Sequence, residues 1–355
     1  MKDKISVRQI CFILIAYNAA SKLLLFPTTA ASAVGNALIF PALFNLILQT
    51  IIIWSVSYLS SRTDKSFFEL LENTFGKIAA RVIFGFFALY FLVSAIVPMN
   101  EQQLLVHDSF YDTMPSLTVF LPFFIFSVYA GVKSFTNVGR CADLMLPVFV
   151  LCAAAFLVMS VGEADFTNLL PIMTQPLTKV AGFSLSSLFR FSESAFLLMF
   201  MGHYKYKKGD AVKLTVSYAA GGLVVITIMA AFWSLYGALA PTRSFAISNI
   251  SVFFPVIGFV GRIDLFLVYA FDMVALFAAV LNIQMCVHCM AKTFNRDCRI
   301  IYSLCVNAVL VAVTFLANNN YTVLQKISGD WLWIPAVLFA YLIPVLAWAL
   351  RRKTR

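Results

Sequence analysis

Apolar residues along this chain fall in long blocks separated by short charged stretches. The blocks run roughly over Gln9 to Val34, Phe40 to Leu59, Ala79 to Met99, Leu117 to Val132, Leu144 to Val161, Phe183 to Met201, Leu214 to Leu239, Ile263 to Cys286, Ile300 to Leu316 and Trp331 to Leu350. Crossing a ~30 Å hydrocarbon layer takes ~20 helical residues, so the pattern predicts an all-α integral membrane protein with ten transmembrane helices. A further apolar stretch, Ser244 to Gly258, is short, bounded by Pro241 and broken by Pro255, and reads as an interfacial or re-entrant helix. Ser66 to Phe75, between the second and third blocks, reads as a short amphipathic segment on the opposite side.

Ten spans divide into two sets of five, and an odd number per set turns the second set upside down relative to the first. The expectation is one membrane domain over residues 1–355, with inverted five-helix repeats at about 5–162 and about 180–351. The first span of each set looks interrupted, at Leu25-Phe26-Pro27-Thr28-Thr29 and around Ser192-Glu193-Ser194. Pro27 removes a backbone donor and clashes with the preceding turn, and Thr28 and Thr29 can bond the freed groups. Two readings stay open: a bent packing helix, or an unwound segment whose half-helix ends bind a zwitterion or an ion near the midplane.

Composition strengthens the membrane reading. Hydrophobic residues make up 61% and charged residues 12%, with a mean hydropathy of +0.89, against roughly 25% charged in soluble domains. No long polar stretch is left for a soluble catalytic domain or a linker. The net charge of +10 is a matter of topology. Twenty of the 26 basic residues fall in alternate connections, Lys2 to Arg8, Arg62 to Arg81, Lys133 and Arg140, Lys205 to Lys213, Lys292 to Arg299 and Arg351 to Arg355. Only Lys179, Arg243, Arg262 and Lys326 lie on the other side, which predicts cytoplasmic N and C termini and no nucleic-acid partner. The first block reads as a retained span rather than a signal peptide: basic residues precede it and Ala30 to Ala33 are small, but Asn18 and Lys22 interrupt its core. The seven cysteines are odd in number and sit in or beside apolar blocks, so no disulfide framework is implied. Cys286, His288 and Cys289 lack a fourth ligand, and no metal and no cofactor are expected. No nucleophile elbow, P-loop or paired-carboxylate pattern occurs, which argues against an enzyme.

Ionisable groups at membrane depth are costly unless paired or hydrated, so they mark candidate sites. They are Lys22, Arg190, Glu193, Asp264 and Asp272. Arg190 and Glu193 are three apart on one helical face and can simply pair with each other. Asp264, beside Arg262 at a helix end, reads as solvated; Asp272 sits more than two turns deeper and is a candidate for a central site. Glu101, His107, Asp108 and Asp112 read as a solvated external connection. Lys22 lies about 12 residues into its span, roughly 18 Å from its start at ~1.5 Å per residue, too deep to reach either interface. Its ammonium should face the bundle interior, with Glu193 and Asp272 as candidate partners.

Ile5-Ser6 leading to Pro27, Phe68-Glu69-Leu70-Leu71-Glu72 to Gly76-Lys77, Met114-Pro115, Arg140 to Pro147, and Asn168-Leu169-Leu170-Pro171 form an ordered set of segments. Together they resemble the B-subunit family of spore nutrient-germinant receptors, a branch of the amino acid/polyamine/organocation transporter superfamily. The likeness covers essentially the whole chain. It implies a LeuT-like fold with helices one and six broken, and a midplane pocket lined by spans one, three, six and eight. It also implies an amino acid or similar small nutrient as ligand, a second membrane subunit and a lipoprotein as companions, and the spore inner membrane as location. Where the family has small, glycine-containing positions seven and five before the proline, this chain has Ala20 and Lys22, a departure that bears on the ligand accepted. The ligand-binding candidates are Lys22, Leu25, Phe26, Pro27, Thr28, Thr29, Ser192, Glu193, Ser194 and Asp272. The alternatives are a stand-alone amino-acid permease, sodium-independent because Lys22 replaces the coupling cation and open to proton coupling through that lysine, or a membrane scaffold with no ligand.

Overall fold

The computed structural model describes residues 4–110, 116–171, 173–251, 263–318 and 331–350, and these are helical with no strand among them. Helix α1 (Val7–Leu23) starts at a capping box in which Ser6 and Gln9 satisfy each other's backbone donors. After the break at Leu24 and Leu25 comes α2 (Phe26–Val34). Gly35, at φ +60°, then lets the chain turn through a short 3₁₀ segment into α3 (Ile39–Ser60). The amphipathic segment is helix α4 (Phe67–Phe75), opened by a Ser66–Glu69 capping box and closed at Gly76. The long α5 (Lys77–Phe110) follows, then α6 (Ser116–Val132) and α7 (Phe135–Val161). The second broken helix consists of α8 (Leu177–Ser186), a 3₁₀ turn (Ser187–Arg190) and α9 (Ser194–Phe200). The remainder is α10 (Asp210–Tyr236), α11 (Ala246–Ser251), α12 (Ile263–Phe294), α13 (Arg299–Asn318), and finally α14 (Trp333–Ala336) and α15 (Ile343–Leu350) joined by a π-helical turn (Val337–Leu342).

Six helical runs are long and apolar enough to cross a membrane by length and composition: Phe26–Ser60, Lys77–His107, Phe135–Val161, Asp210–Thr242, Phe266–Phe294 and Arg299–Leu316. Two shorter apolar helices are Thr118–Val132 and Trp333–Ala349. The pieces of the broken helices are only 17, 9, 10 and 7 residues long, and the second of them, α2, continues through the 3₁₀ turn into α3 as the run Phe26–Ser60. The sides of the bundle are apolar outward, as lipid contact requires: α3 presents Phe44, Ile47, Ile51 and Trp54, and α7 presents Leu144, Leu151 and Val158. Polar side chains turn inward instead; Asn45 and Gln49 of α3 are fully buried.

Packing centres on the broken helices. Helix α1 lies against α7, α10 and α12; α3 lies against α8, α9 and α10; α5 and α12 run together over most of their length. Two adjacent glycines of α10 permit close approaches to α1 and α3. A Cβ on Gly221 would meet the backbone of Ile15 in α1 at 3.1 Å, and one on Gly222 would overlap the Leu46 side chain of α3. We therefore expect Gly221→Val to lower the thermal unfolding temperature in detergent, by overpacking worth about 1–3 kcal/mol. Gly182→Val, where a Cβ meets nothing within 4 Å, should change it little. Equal melting of the two variants would refute the close α1–α10 contact.

The structure corrects several expectations. The first break precedes the proline: Leu24 and Leu25 are non-helical, and Phe26 to Thr29 form the first turn of α2. Proline suits that position because first-turn N–H groups have no helical acceptor anyway. Glu101 is not in a solvated connection but is buried in α5, which runs eleven residues past Met99 to Phe110. Of Ser244 to Gly258, residues 244–251 are described and include the short helix α11, while 252–258 lie outside the described residues. Asp112, Met114-Pro115, Arg262 and the side chains of Asp108 and Asp264 lie outside the described residues.

Candidate functional site

The two breaks face each other. Lys22 sits in the last turn of α1, where the helix dipole favours a cation, and Glu193 is the residue preceding α9, where it favours an anion. Both side chains are fully buried and form a direct ion pair. The Lys22 ammonium also donates to the Asn18 carbonyl at 3.3 Å and the Ser21 hydroxyl at 3.2 Å, and lies 4.5 Å from the Phe191 ring centroid. All three of its protons therefore have acceptors. Glu193's other oxygen accepts from the Tyr218 hydroxyl of α10 at 3.1 Å.

Arg190 and Glu193 do not pair with each other. The 3₁₀ turn and the break between them abolish the common helical face that the three-residue spacing assumed. Arg190 instead makes a two-pronged bond to Glu101 of α5, at 3.0 and 2.5 Å, and donates to the Ser21 carbonyl at 3.3 Å. Two buried ion pairs thus flank the junction, one between the two broken helices and one tying the second broken helix to α5.

Other helices hold the breaks open. Asn45 of α3 donates to the Ser184 carbonyl and the Ser187 hydroxyl, both at 2.9 Å. Gln49, one turn further, sets its side-chain amide against the backbone N–H groups of Glu193 and Ser194, and in the amide orientation that satisfies these donors its oxygen accepts from them at 3.1 and 2.8 Å. That side chain caps α9 in place of Glu193, whose carboxylate is occupied by Lys22. From the last span, Tyr341 donates to the Phe191 carbonyl at 2.5 Å, and Ser194 donates to the carbonyl of Ala340 inside the π turn. A π turn leaves carbonyls out of the regular helical ladder, so Ala340 can accept a bond from outside.

Between the breaks and α5 lies a cavity of about 20 Å³ lined by Tyr17, Ser21, Ser94, Pro98, Arg190 and Ser192 among others. Pro98 cannot donate to the Ser94 carbonyl one turn earlier, which leaves a backbone acceptor in this region. The volume is about that of one water, so the site is closed in this conformation.

The remaining candidates are placed as follows. Phe26 is buried, stacked on Phe183 and edge-on to Phe191. Leu25 and Pro27 are buried beside it. Thr28 turns away from the breaks, its hydroxyl meeting the Arg243 and Ser244 carbonyls, while Thr29 bonds the Phe26 carbonyl at 3.0 Å. Asp272 is buried but its carboxylate is taken by Gln102 of α5, so of Lys22's two candidate partners only Glu193 is used. Cys286 and Cys289 turn to Ala88 and Met199, away from His288, and no cluster of metal ligands occurs among the described residues. Sequence reading missed Tyr17, Gln49, Glu101, Tyr218 and Tyr341. For Glu101 no signal existed, since Pro98 and Asn100 just before it read as turn residues.

A family profile for spore permeases, described as "Spore germination protein", matches residues 4–322. Spore germination protein YndE of Bacillus subtilis is 24% identical over 242 residues, 67% of this chain and 65% of that protein. The chain thus aligns with just under two thirds of that relative. Spore germination protein KB of the same organism is 22% identical over 326 residues, 89% of this chain and 86% of that protein. Among solved structures, the crystal structure of MhsT in complex with L-phenylalanine superposes with a TM-score of 0.62 over 97% of this chain and 98% of that one, at 12% identity. That likeness establishes a LeuT-like fold.

Proposed function

This chain belongs to the spore permease family of spore germination proteins, and from that premise we propose that it is the membrane subunit of a nutrient germinant receptor that binds an amino acid between its two broken helices. A multi-pass membrane protein with a transporter fold and no enzymatic motif fits a receptor or transporter role. The observation that carries the finer reading is the fully buried Lys22–Glu193 pair at the junction. An amino-acid zwitterion offers each partner a substitute, its carboxylate for Lys22 and its ammonium for Glu193. Binding would exchange one internal ion pair for two ligand contacts, with Tyr218 keeping hold of Glu193. Because Lys22 already supplies a cation at the break, the site needs no sodium. Leu25 to Pro27, Thr29, Ser192 and Ser194 frame or border this site in the proposal, while Thr28 and Asp272 are held by other partners. Ten crossings, cytoplasmic termini, a spore inner-membrane location and companion subunits belong to the same reading.

The test is a panel of amino acids scored by thermal shift on the purified full chain. At least one should raise the melting temperature, equally in sodium and in choline buffer, and its N-acetyl and methyl-ester derivatives, which each lack one charge, should not. A strict sodium requirement, or equal stabilisation by the derivatives, would overturn the zwitterion exchange. Co-purification with two companion subunits supports the receptor reading. Isolation of the chain alone, with robust amino-acid uptake in reconstituted vesicles, supports a stand-alone permease.

A further inference from the structure

A second and larger cavity, of about 550 Å³, opens at the face on which the basic connections gather. It lies between the start of α4, the α6–α7 connection, the α9–α10 loop and the end of α12. Its volume lies within the range of small-molecule sites. The wall carries Lys133, Lys292, Arg296 and Arg299 against a single carboxylate, Asp297, which Arg299 engages at 2.8 Å. Among the described residues, Lys133, Lys292 and Arg296 have no carboxylate partner within ion-pair distance.

The two lysines are half-buried rather than extended into solvent. Lys133 lies 4.0 Å from the centroid of the exposed Tyr129 ring and Lys292 5.5 Å from that of Phe68, so an aromatic face holds each ammonium group. The Lys133 backbone carbonyl is in turn fixed by the Gln284 side-chain amide. Gln284 lines the cavity, is 2% exposed, and has an amide oxygen without a partner among the described residues. Like charges held together in a partly dry cleft repel one another and focus a positive potential, which an anion relieves. A phosphate ester matches the wall: several negative oxygens for Lys133, Lys292 and Arg296, and a hydroxyl donor for Gln284.

We propose that this cavity is a binding site for a phosphate ester, separate from the site at the broken helices and independent of the ligand assigned there. The ester can be a soluble metabolite or the headgroup of an anionic phospholipid.

The probe is inorganic pyrophosphate, titrated calorimetrically into the full chain in neutral detergent and in nanodiscs. Saturable binding is expected, weakened about tenfold or more in Lys133→Gln/Lys292→Gln, since two charge-assisted contacts are lost. Lys205→Gln/Lys208→Gln removes the same charge from exposed positions outside the cavity and should shift affinity less than about twofold. Arg296→Gln, an exposed side chain whose loss does not threaten folding, should weaken binding about threefold. If phosphatidylglycerol nanodiscs weaken pyrophosphate binding relative to phosphatidylcholine ones, a headgroup is the occupant; equal affinity in both identifies a soluble ester. Absence of saturable binding, or equal loss in the two double-lysine variants, would overturn the proposal.

Discussion

Replacing Lys22 with methionine is expected to abolish the germinant response and to destabilise the folded chain by about 3–5 kcal/mol, because Glu193 is left ionised, buried and without its cation. The methionine keeps the length of the side chain, so packing against Phe191 changes little. The double variant Lys22→Met/Glu193→Gln removes both charges and should regain most of the lost stability, as replacing a whole buried pair often does. It should not regain the response, since both groups that would receive the zwitterion are gone. Stability is read by thermal unfolding in detergent and response by germination of spores carrying the variant. A double variant that responds normally would reduce the pair to a packing feature; a single variant as stable as the parent would mean that Glu193 is neutral or hydrated when alone.

The second large effect is expected at Arg190 and Glu101. Glu101→Gln should cost about 3–5 kcal/mol, because the Arg190 guanidinium, 12% exposed, loses its two-pronged acceptor. A double-mutant cycle between residues 190 and 101 should give a large coupling energy, and one between 190 and 193 a value near zero. The reverse result would restore the local pairing that the three-residue spacing predicts. The outcome bears on function as well as stability, since Arg190 lines the closed cavity and donates to the carbonyl of Ser21, whose hydroxyl receives a Lys22 proton.

How much was legible in the sequence differs from residue to residue. The depth of Lys22 in an apolar block required a buried partner, and Glu193 was one of two carboxylates deep enough to serve. The choice between Glu193 and Asp272 was not legible. It depends on α1 and α9 ending opposite each other and on Gln102 reaching Asp272 first. Glu101 was misplaced because an acidic cluster after an apolar block looks like a helix end. In fact α5 continues, and a residue on its inward face can be charged if a partner from another helix meets it. The sequence pattern places the first break about two residues too late, because a proline within a span reads as a disruptor, whereas here it opens the second half-helix.

The sequence by itself determined the solvent. Long apolar blocks, few charges and a one-sided distribution of basic residues leave a helical membrane bundle as the arrangement that satisfies every backbone group, and the two interrupted spans are marked by polar residues that no uninterrupted lipid-facing helix would carry. Tertiary structure decided which charges meet. Pairing across 171 residues for Lys22 and Glu193, or 89 for Arg190 and Glu101, is set by helix rotation and by glycine-permitted approach distances. The hydrophobic pattern constrains those quantities only loosely, because in lipid an apolar face may rotate against apolar neighbours at little cost, whereas a buried charge has very few orientations in which its partner is within reach.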